Sequence, residues 1–276
     1  MHSFDLFLFS TDPDFIRPAV AAGVTGIVVD WEHIGKAARQ AGADTQINHD
    51  TVDDLLRVRA CTDVRIICRV NGCGVTTREE VELALAAGAD EILLPMVRGV
   101  QEVRAVLDHV DDRCEVGILV ETAAALGITE PLAALPLSRV YVGLNDLALE
   151  RKTRNIFTAM IDGTVERIRR PFRIPFGFAG LTVPDRGFPI PCRLIIGELI
   201  RLGCHFSFLR RSFCRDIPVR DLAIQVPRIH DALTQAGFRS PEVIAQDRQE
   251  LVSAVLNWPT PLHISGTVGV HESPLR

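Results

Sequence analysis

Short apolar runs rich in Val, Ile, Leu and Phe alternate along the chain with longer stretches whose apolar positions recur at three- and four-residue spacing. The runs fall at residues 4–10, 26–31, 64–71, 89–96, 115–121, 140–148, 175–183 and 204–211. Each reads as a strand, and the stretches between them read as amphipathic helices. At residues 77–87, for instance, Val81, Leu83, Ala84 and Leu85 supply an apolar stripe against Arg78, Glu79, Glu80 and Glu82. Thr77 with Glu80 three residues on has the form of a capping box. Glycines 23, 88 and 203 stand between a helix and the next strand, where a left-handed C-terminal cap belongs. Strands apolar almost throughout belong in a parallel sheet covered on both faces. Eight such units in about 210 residues predict a closed (β/α)8 barrel over residues 1–240.

An open doubly wound sheet is the structural alternative. A dinucleotide fingerprint at Gly72-Cys73-Gly74 fails, because Thr77 holds the third glycine position. Residues 219–236 read as the eighth helix. Residues 241–256 read as an extra helix, expected on a neighbouring subunit or across the barrel, with a Pro-containing tail beyond it.

Composition narrows the partners. The 276 residues are 47% hydrophobic with a formal charge of −5, and neither sign forms a long block, so neither nucleic acid nor an anionic membrane is advertised. No apolar run approaches the roughly 18 residues of a membrane span, and the N-terminus lacks the basic start of a signal peptide. The seven cysteines include no Cys-x-x-Cys pair, which speaks against a zinc site or a disulfide framework. A cytoplasmic protein is expected.

In such a barrel catalytic groups sit at the carboxyl ends of strands. The polar residues ending the apolar runs are Asp30, Glu32 and His33 after the second, Arg69 and Asn71 after the third, Glu121 after the fifth, and Asn145 and Asp146 after the sixth. Adjacent strands bring Glu121 and Asp146 to one rim, where two bare carboxylates repel. A hard divalent cation resolves the repulsion, since it takes oxygen ligands and keeps positions for water or substrate. Helix capping is the competing account of the same two residues. Arg69 is either a cation beside that pair or a structural partner of Asp30 or Glu32. His33 gains interest only through its neighbours. Cys73 is a bystander.

From about Phe4 to Arg215 these residues resemble the HpcH/HpaI aldolase and citrate-lyase β-subunit family of metal-dependent barrel enzymes. The pieces that carry the likeness are Val29-Asp30-Trp31-Glu32-His33, Arg69-Val70-Asn71, Ile92-Leu93-Leu94-Pro95-Met96-Val97, Val120-Glu121-Thr122 and Val142-Gly143-Leu144-Asn145-Asp146-Leu147-Ala148, in order at successive strand ends. The resemblance implies that Glu121 and Asp146 hold Mg2+ or Mn2+, with Co2+ fitting the same donors. It implies that Arg69 meets the keto oxygen or enolate of a 2-oxo acid, and that the backbone after Gly143, at Leu144 and Asn145, receives the substrate carboxylate. His33 would serve the base, with Asp30 and Glu32 behind it. A homo-oligomer, trimer or hexamer, is also implied.

Glu32-His33 matches the hydroxy-oxo-acid aldolases, whereas Asp30-x-Glu32 followed by Lys36-Ala37-Ala38-Arg39 is similar to the citrate-lyase branch. Leu119 stands where the aldolases carry glutamine, Ala86 where they carry an aspartate, and their Pro-Pro-x-Gly-x-Arg-Gly loop is missing between residues 96 and 115. The expected reaction makes or breaks a carbon–carbon bond next to a 2-oxo acid, the other half being an aldehyde or acyl group. Lys36 and Lys152, the only lysines, are not placed for Schiff-base chemistry. A lyase or thioesterase acting on a CoA ester is the alternative, with Arg151, Arg154, Arg210, Arg211 and Arg215 as candidates for the phosphates. A barrel kept as a non-catalytic scaffold is the alternative of another class.

Overall fold

The computed structural model describes residues 4–36, 49–153 and 155–258. Nine strands form one all-parallel sheet: β1 (Asp5–Phe9), β2 (Gly26–Asp30), β3 (Arg65–Arg69), β4 (Glu91–Leu94), β5 (Glu115–Val120), β6 (Arg139–Val142), β7 (Phe176–Phe178), β8 (Gly180–Leu181) and β9 (Phe206–Leu209). Consecutive strands pair from β1 to β7, and β9 pairs with both β1 and β8. β7 and β8 are two halves of one barrel strand, the seventh, broken at Ala179. This residue takes the left-handed φ of 56°, which turns its carbonyl out of the ladder. The Tyr141 and Ser207 hydroxyls donate to that oxygen at 2.8 and 2.5 Å. Near the break the chain closes on β9: the His205 N–H donates to the Phe176 carbonyl at 3.0 Å. A Cβ at Gly177 would stand 2.4 Å from the Phe206 carbonyl, so only glycine permits this approach. The (β/α)8 expectation therefore holds, its seventh strand kinked.

Inward side chains fill the lumen: Phe7, Val28, Ile67, Leu93, Leu119, Tyr141, Phe206 and Phe208 form a cluster separate from the larger core between sheet and helices. At the amino end of the strands the Arg139 guanidinium lies on both Glu91 oxygens, at 2.7 and 2.8 Å, and over the Phe7 and Phe206 rings. This buried pair plugs that end and leaves the opposite rim for chemistry.

Glycines 23, 88 and 203 have φ of 115°, 92° and 62° and follow helix C-caps, as their positions in the sequence suggest. The capping box at Thr77 does not form. The helix Thr77–Ala86 has Thr76 at its N-cap without a side-chain cap bond; the Thr77 hydroxyl accepts from the Gly74 N–H at 2.8 Å, and Glu80 is held by Asn71 and by the Thr76 hydroxyl. The extra helix, Pro241–Leu256, packs on its own barrel: Arg248 donates to the Met160 carbonyl and to Glu198, and Arg239 to the Gly197 carbonyl. Ala37, Ala38 and Arg39 of the citrate-lyase-like motif, Arg154 and the tail beyond residue 258 lie outside the described residues. No helix among the described residues is long and apolar enough to cross a membrane.

Candidate active site

Strand β2 ends in a charge cluster. Arg69, the last residue of β3, donates through Nε and Nη2 to the two Asp30 oxygens, both at 2.7 Å, and its Nη1 lies 3.3 Å from Glu32. Lys36 Nζ donates to Glu32 at 2.8 Å and stands 3.7 Å from Asp30. Arg211, just beyond β9, donates to Asp30 Oδ2 at 2.8 Å. Asp30, Glu32, Lys36 and Arg69 are all buried. Burial alone would raise the Asp30 and Glu32 carboxyls; the adjacent cations, Arg69 foremost, outweigh it and hold both below the usual carboxylate range. Burial and the Arg69 charge push the Lys36 ammonium down. Of the two accounts given of Arg69, the structural one is seen in its bonds to Asp30 and Glu32; its charge is also felt, more weakly, at Glu121.

Beyond Trp31 the chain turns outward and exposes His33. The His33 Nδ1 lies 2.8 Å from the Trp31 carbonyl, an acceptor only, so in the neutral ring the proton sits on Nδ1 and the lone pair on Nε2. Asn71 fixes this loop: its Oδ1 accepts from the N–H groups of His33 and Ile34 at 2.9 and 2.8 Å, while Glu80 holds its amide nitrogen at 3.0 Å. His49 approaches the His33 ring at 5.9 Å between centroids.

Glu121 and Asp146 are both buried. The run at 140–148 is not strand throughout. β6 ends at Val142 and a helix, Leu144–Arg151, begins at once with Gly143 as N-cap, so Asn145 and Asp146 lie in the first helical turn. A short strand followed by a helix start looks like one apolar run because both bury Val142, Leu144 and Leu147. The N–H groups of Leu144 and Asn145 lie in the first turn, without an intrahelical acceptor, at the positive end of the helix.

Helix capping does not account for Glu121. Thr122 caps the following helix, accepting from the Ala125 N–H at 3.1 Å, while Glu121 accepts at 2.9 Å from the N–H of Met96, beyond β4. The Glu121 carboxylate lies against Gly143, where a Cβ would stand 2.0 Å from Oε2. Burial first, then the charges of Asp146 and Glu32, raise the Glu121 pKa to about 8. Two hard oxygen donors in such repulsion suit a divalent cation that completes its shell with water or substrate. Among the described residues no group of three or more His, Cys, Asp and Glu is arranged to hold a metal ion.

Tyr141, Phe208 and Phe9 pave the floor between the carboxylates and the cluster. The Tyr141 and Phe208 centroids are 4.2 Å apart, and Phe9 carries Arg69 and Arg211 above its ring at 5.4 and 4.8 Å. A family model described as HpcH/HpaI aldolase/citrate lyase matches residues 3–156, which include Asp30, Glu32, His33, Arg69, Glu121, Gly143, Leu144, Asn145 and Asp146. The chain belongs to the HpcH/HpaI family. No curated protein matches it.

Family membership makes a lyase of the aldolase kind the activity to read the rim against. The sequence names Lys36 through the citrate-lyase-like motif and sets it aside for Schiff-base chemistry; its pairing with Glu32, four residues away at the spacing of a helical ion pair, is the part that went unread. Asp50, which accepts the Asp30 N–H at 2.8 Å, carried no signal, since it precedes a helix far from any strand end. Of the arginines set aside for phosphates, Arg154 lies outside the described residues, Arg151 holds Asp162, Arg215 holds Asp216, Arg210 reaches Ser212, and Arg211 turns inward onto Asp30.

Proposed function

We propose that this chain is a divalent-cation-dependent carbon–carbon lyase that cleaves or forms the bond between the carbon alpha to the keto group of a 2-oxo acid and the carbon beyond it. The supporting observation is the burial of two carboxylates, Glu121 and Asp146, in a barrel of this family, where burial and the Asp146 charge push the Glu121 pKa up to about 8. Glu121 and Asp146 would hold Mg2+ or Mn2+, whose Lewis acidity polarises the keto group.

The chain's own residues supply the rest. The Leu144 and Asn145 N–H groups receive the carboxylate of the 2-oxo acid. The Arg69 guanidinium, fixed by Asp30 and Glu32, meets the charge that grows on the keto oxygen. In the cleavage direction His33 Nε2 accepts the proton of the hydroxyl on the carbon beyond the breaking bond. That carbon becomes the carbonyl of the departing aldehyde, and the bond's electrons pass to the 2-oxo acid half as its enolate. The aromatic floor excludes water from beneath the enolate.

Deuterium wash-in at the methyl group of pyruvate, followed by proton NMR with and without Mg2+ or Mn2+, tests the assignment. Wild type should exchange only with metal, and Glu121→Gln and Asp146→Asn should not exchange. Wild-type exchange rates in Glu121→Gln would sink it.

A further inference from the structure

His33 follows β2, and His49 stands just before the helix Val52–Arg59, yet the fold brings their rings together at the mouth. The centroids are 5.9 Å apart and the ring planes are tilted by 49°. Two bonds staple the segments that carry them. The Asp30 N–H donates to Asp50 Oδ2 at 2.8 Å, and the Trp31 indole N–H donates to the Thr51 carbonyl at 3.1 Å. Asn71 adds a third restraint by accepting from the N–H groups of His33 and Ile34. The backbone on both sides of the pair is thus held in place, and the rings stand on a prepared base.

What the rings can do follows from their nitrogens. Nδ1 of His33 faces the Trp31 carbonyl at 2.8 Å, which leaves the Nε2 lone pair directed elsewhere. A backbone carbonyl on one ring nitrogen is a common support for a histidine whose other nitrogen binds a metal, since it fixes the tautomer and the ring plane. His49 is exposed, and the described residues give its nitrogens no hydrogen bond. Two imidazoles on one tetrahedral ion, with metal–nitrogen bonds of about 2.0–2.1 Å, have centroids roughly 5 Å apart. The observed spacing therefore asks for only a small turn of the exposed His49 ring.

The donors differ in kind from Glu121 and Asp146. Those two offer hard oxygens in a buried place, which suit Mg2+ or Mn2+. His33 and His49 offer imidazole nitrogens at the exposed edge, which suit Zn2+, Cu2+ or Ni2+. We propose that His33 and His49 together bind an imidazole-preferring divalent ion whose shell water completes, at a second cation site on the rim separate from the carboxylate pair. One consequence rests on the lyase reading above: the ion takes the lone pair that His33 Nε2 would offer to the substrate hydroxyl, and so stops cleavage while the carboxylate pair stays loaded.

Calorimetric titration of the full chain with Zn2+, in excess Mg2+, tests the site. Zn2+ affinity should fall about tenfold or more in His33→Ala and likewise in His49→Ala, because the second imidazole binds intramolecularly. Glu121→Gln should keep wild-type Zn2+ affinity. In protein carrying 15N-labelled histidine, the same Zn2+ should shift the signals of His33 Nε2 and of one His49 nitrogen together. Unchanged affinity in either histidine variant overturns the proposal, and so does a loss confined to Glu121→Gln, which would put the ion on the carboxylates. Binding is read without turnover, so wild-type protein that binds Zn2+ at the pair but cleaves no aldol overturns the lyase reading alone. Both histidines are exposed, and thermal melts of the two variants should match wild type.

Discussion

Gly143→Ala tests the carboxylate pair without removing either carboxylate. The backbone at Gly143, φ −79° and ψ 94°, is open to alanine, so the substitution acts through its methyl group alone. That methyl would stand 2.0 Å from Glu121 Oε2, and ordinary contact begins at 3.4 Å, so the carboxylate must move by about 1.4 Å. Glu121 is 2% exposed and its other oxygen is tied to the Met96 N–H, so the move breaks that bond, at about 1.5–3 kcal/mol for a hydrogen bond to a charged group. A misplacement of about 1 Å in a reacting constellation costs on the order of a hundred-fold in rate. Calorimetric titration with Mn2+ and pyruvate exchange should show weakened binding and a loss of that order. Gly72→Ala is the control, since its methyl would meet Met96 Cβ at an ordinary 3.5 Å. Wild-type Mn2+ affinity and exchange in Gly143→Ala would refute the reasoning.

Metal affinity should climb with pH towards 8, up to about tenfold per unit, because Glu121 must release its proton to bind; titrations in buffers of different ionisation enthalpy would register that proton, and pH-independent binding would contradict it. The folded pKa of Glu121 is raised, so its contribution to stability is full below about 4.5 and is lost as pH rises to about 8; the metal-free protein should weaken over that window, by at most a few kcal/mol, and Glu121→Gln should flatten the decline in thermal melts. Arg69→Lys cannot span Asp30 and Glu32 together and should lose about 3–5 kcal/mol of stability in denaturant titration, with exchange falling about a hundred-fold or more; an unchanged melt would show the pairs to be dispensable. Asn71→Ala releases the backbone of His33 and Ile34 and should lower kcat for aldol cleavage while leaving Mn2+ affinity within about twofold; a parallel loss of metal binding would contradict the separation of the two halves of the rim.

The barrel was legible because eight apolar runs and the glycines at 23, 88 and 203 repeat one local grammar, and local rules read out of sequence directly. Glu121 and Arg69 were legible because each ends such a run. Asp146 was found for a partly mistaken reason: it belongs to a helix that starts two residues after its strand, and apolar burial on both sides hides the junction. What could not be read is pairing over distance. Arg211 and Asp30 are 181 residues apart in sequence, and only closure of the ring makes them neighbours. Glu80 was misread for a related reason, since it accepts from Asn71 as well as from the Thr76 hydroxyl, and the Asn71 bond has no signature in the local spacing.

The break at Ala179 divides the labour within one strand. Its first half takes its register from β6 and its second half from β9, and the joint is clamped by two hydroxyls instead of ladder bonds. Tyr141 belongs at once to this clamp and to the floor of the site. Wear at the floor and slack in the wall are therefore linked: Tyr141→Phe, mild for the pocket's shape, leaves the joint between the two arcs of the barrel to the Ser207 hydroxyl alone.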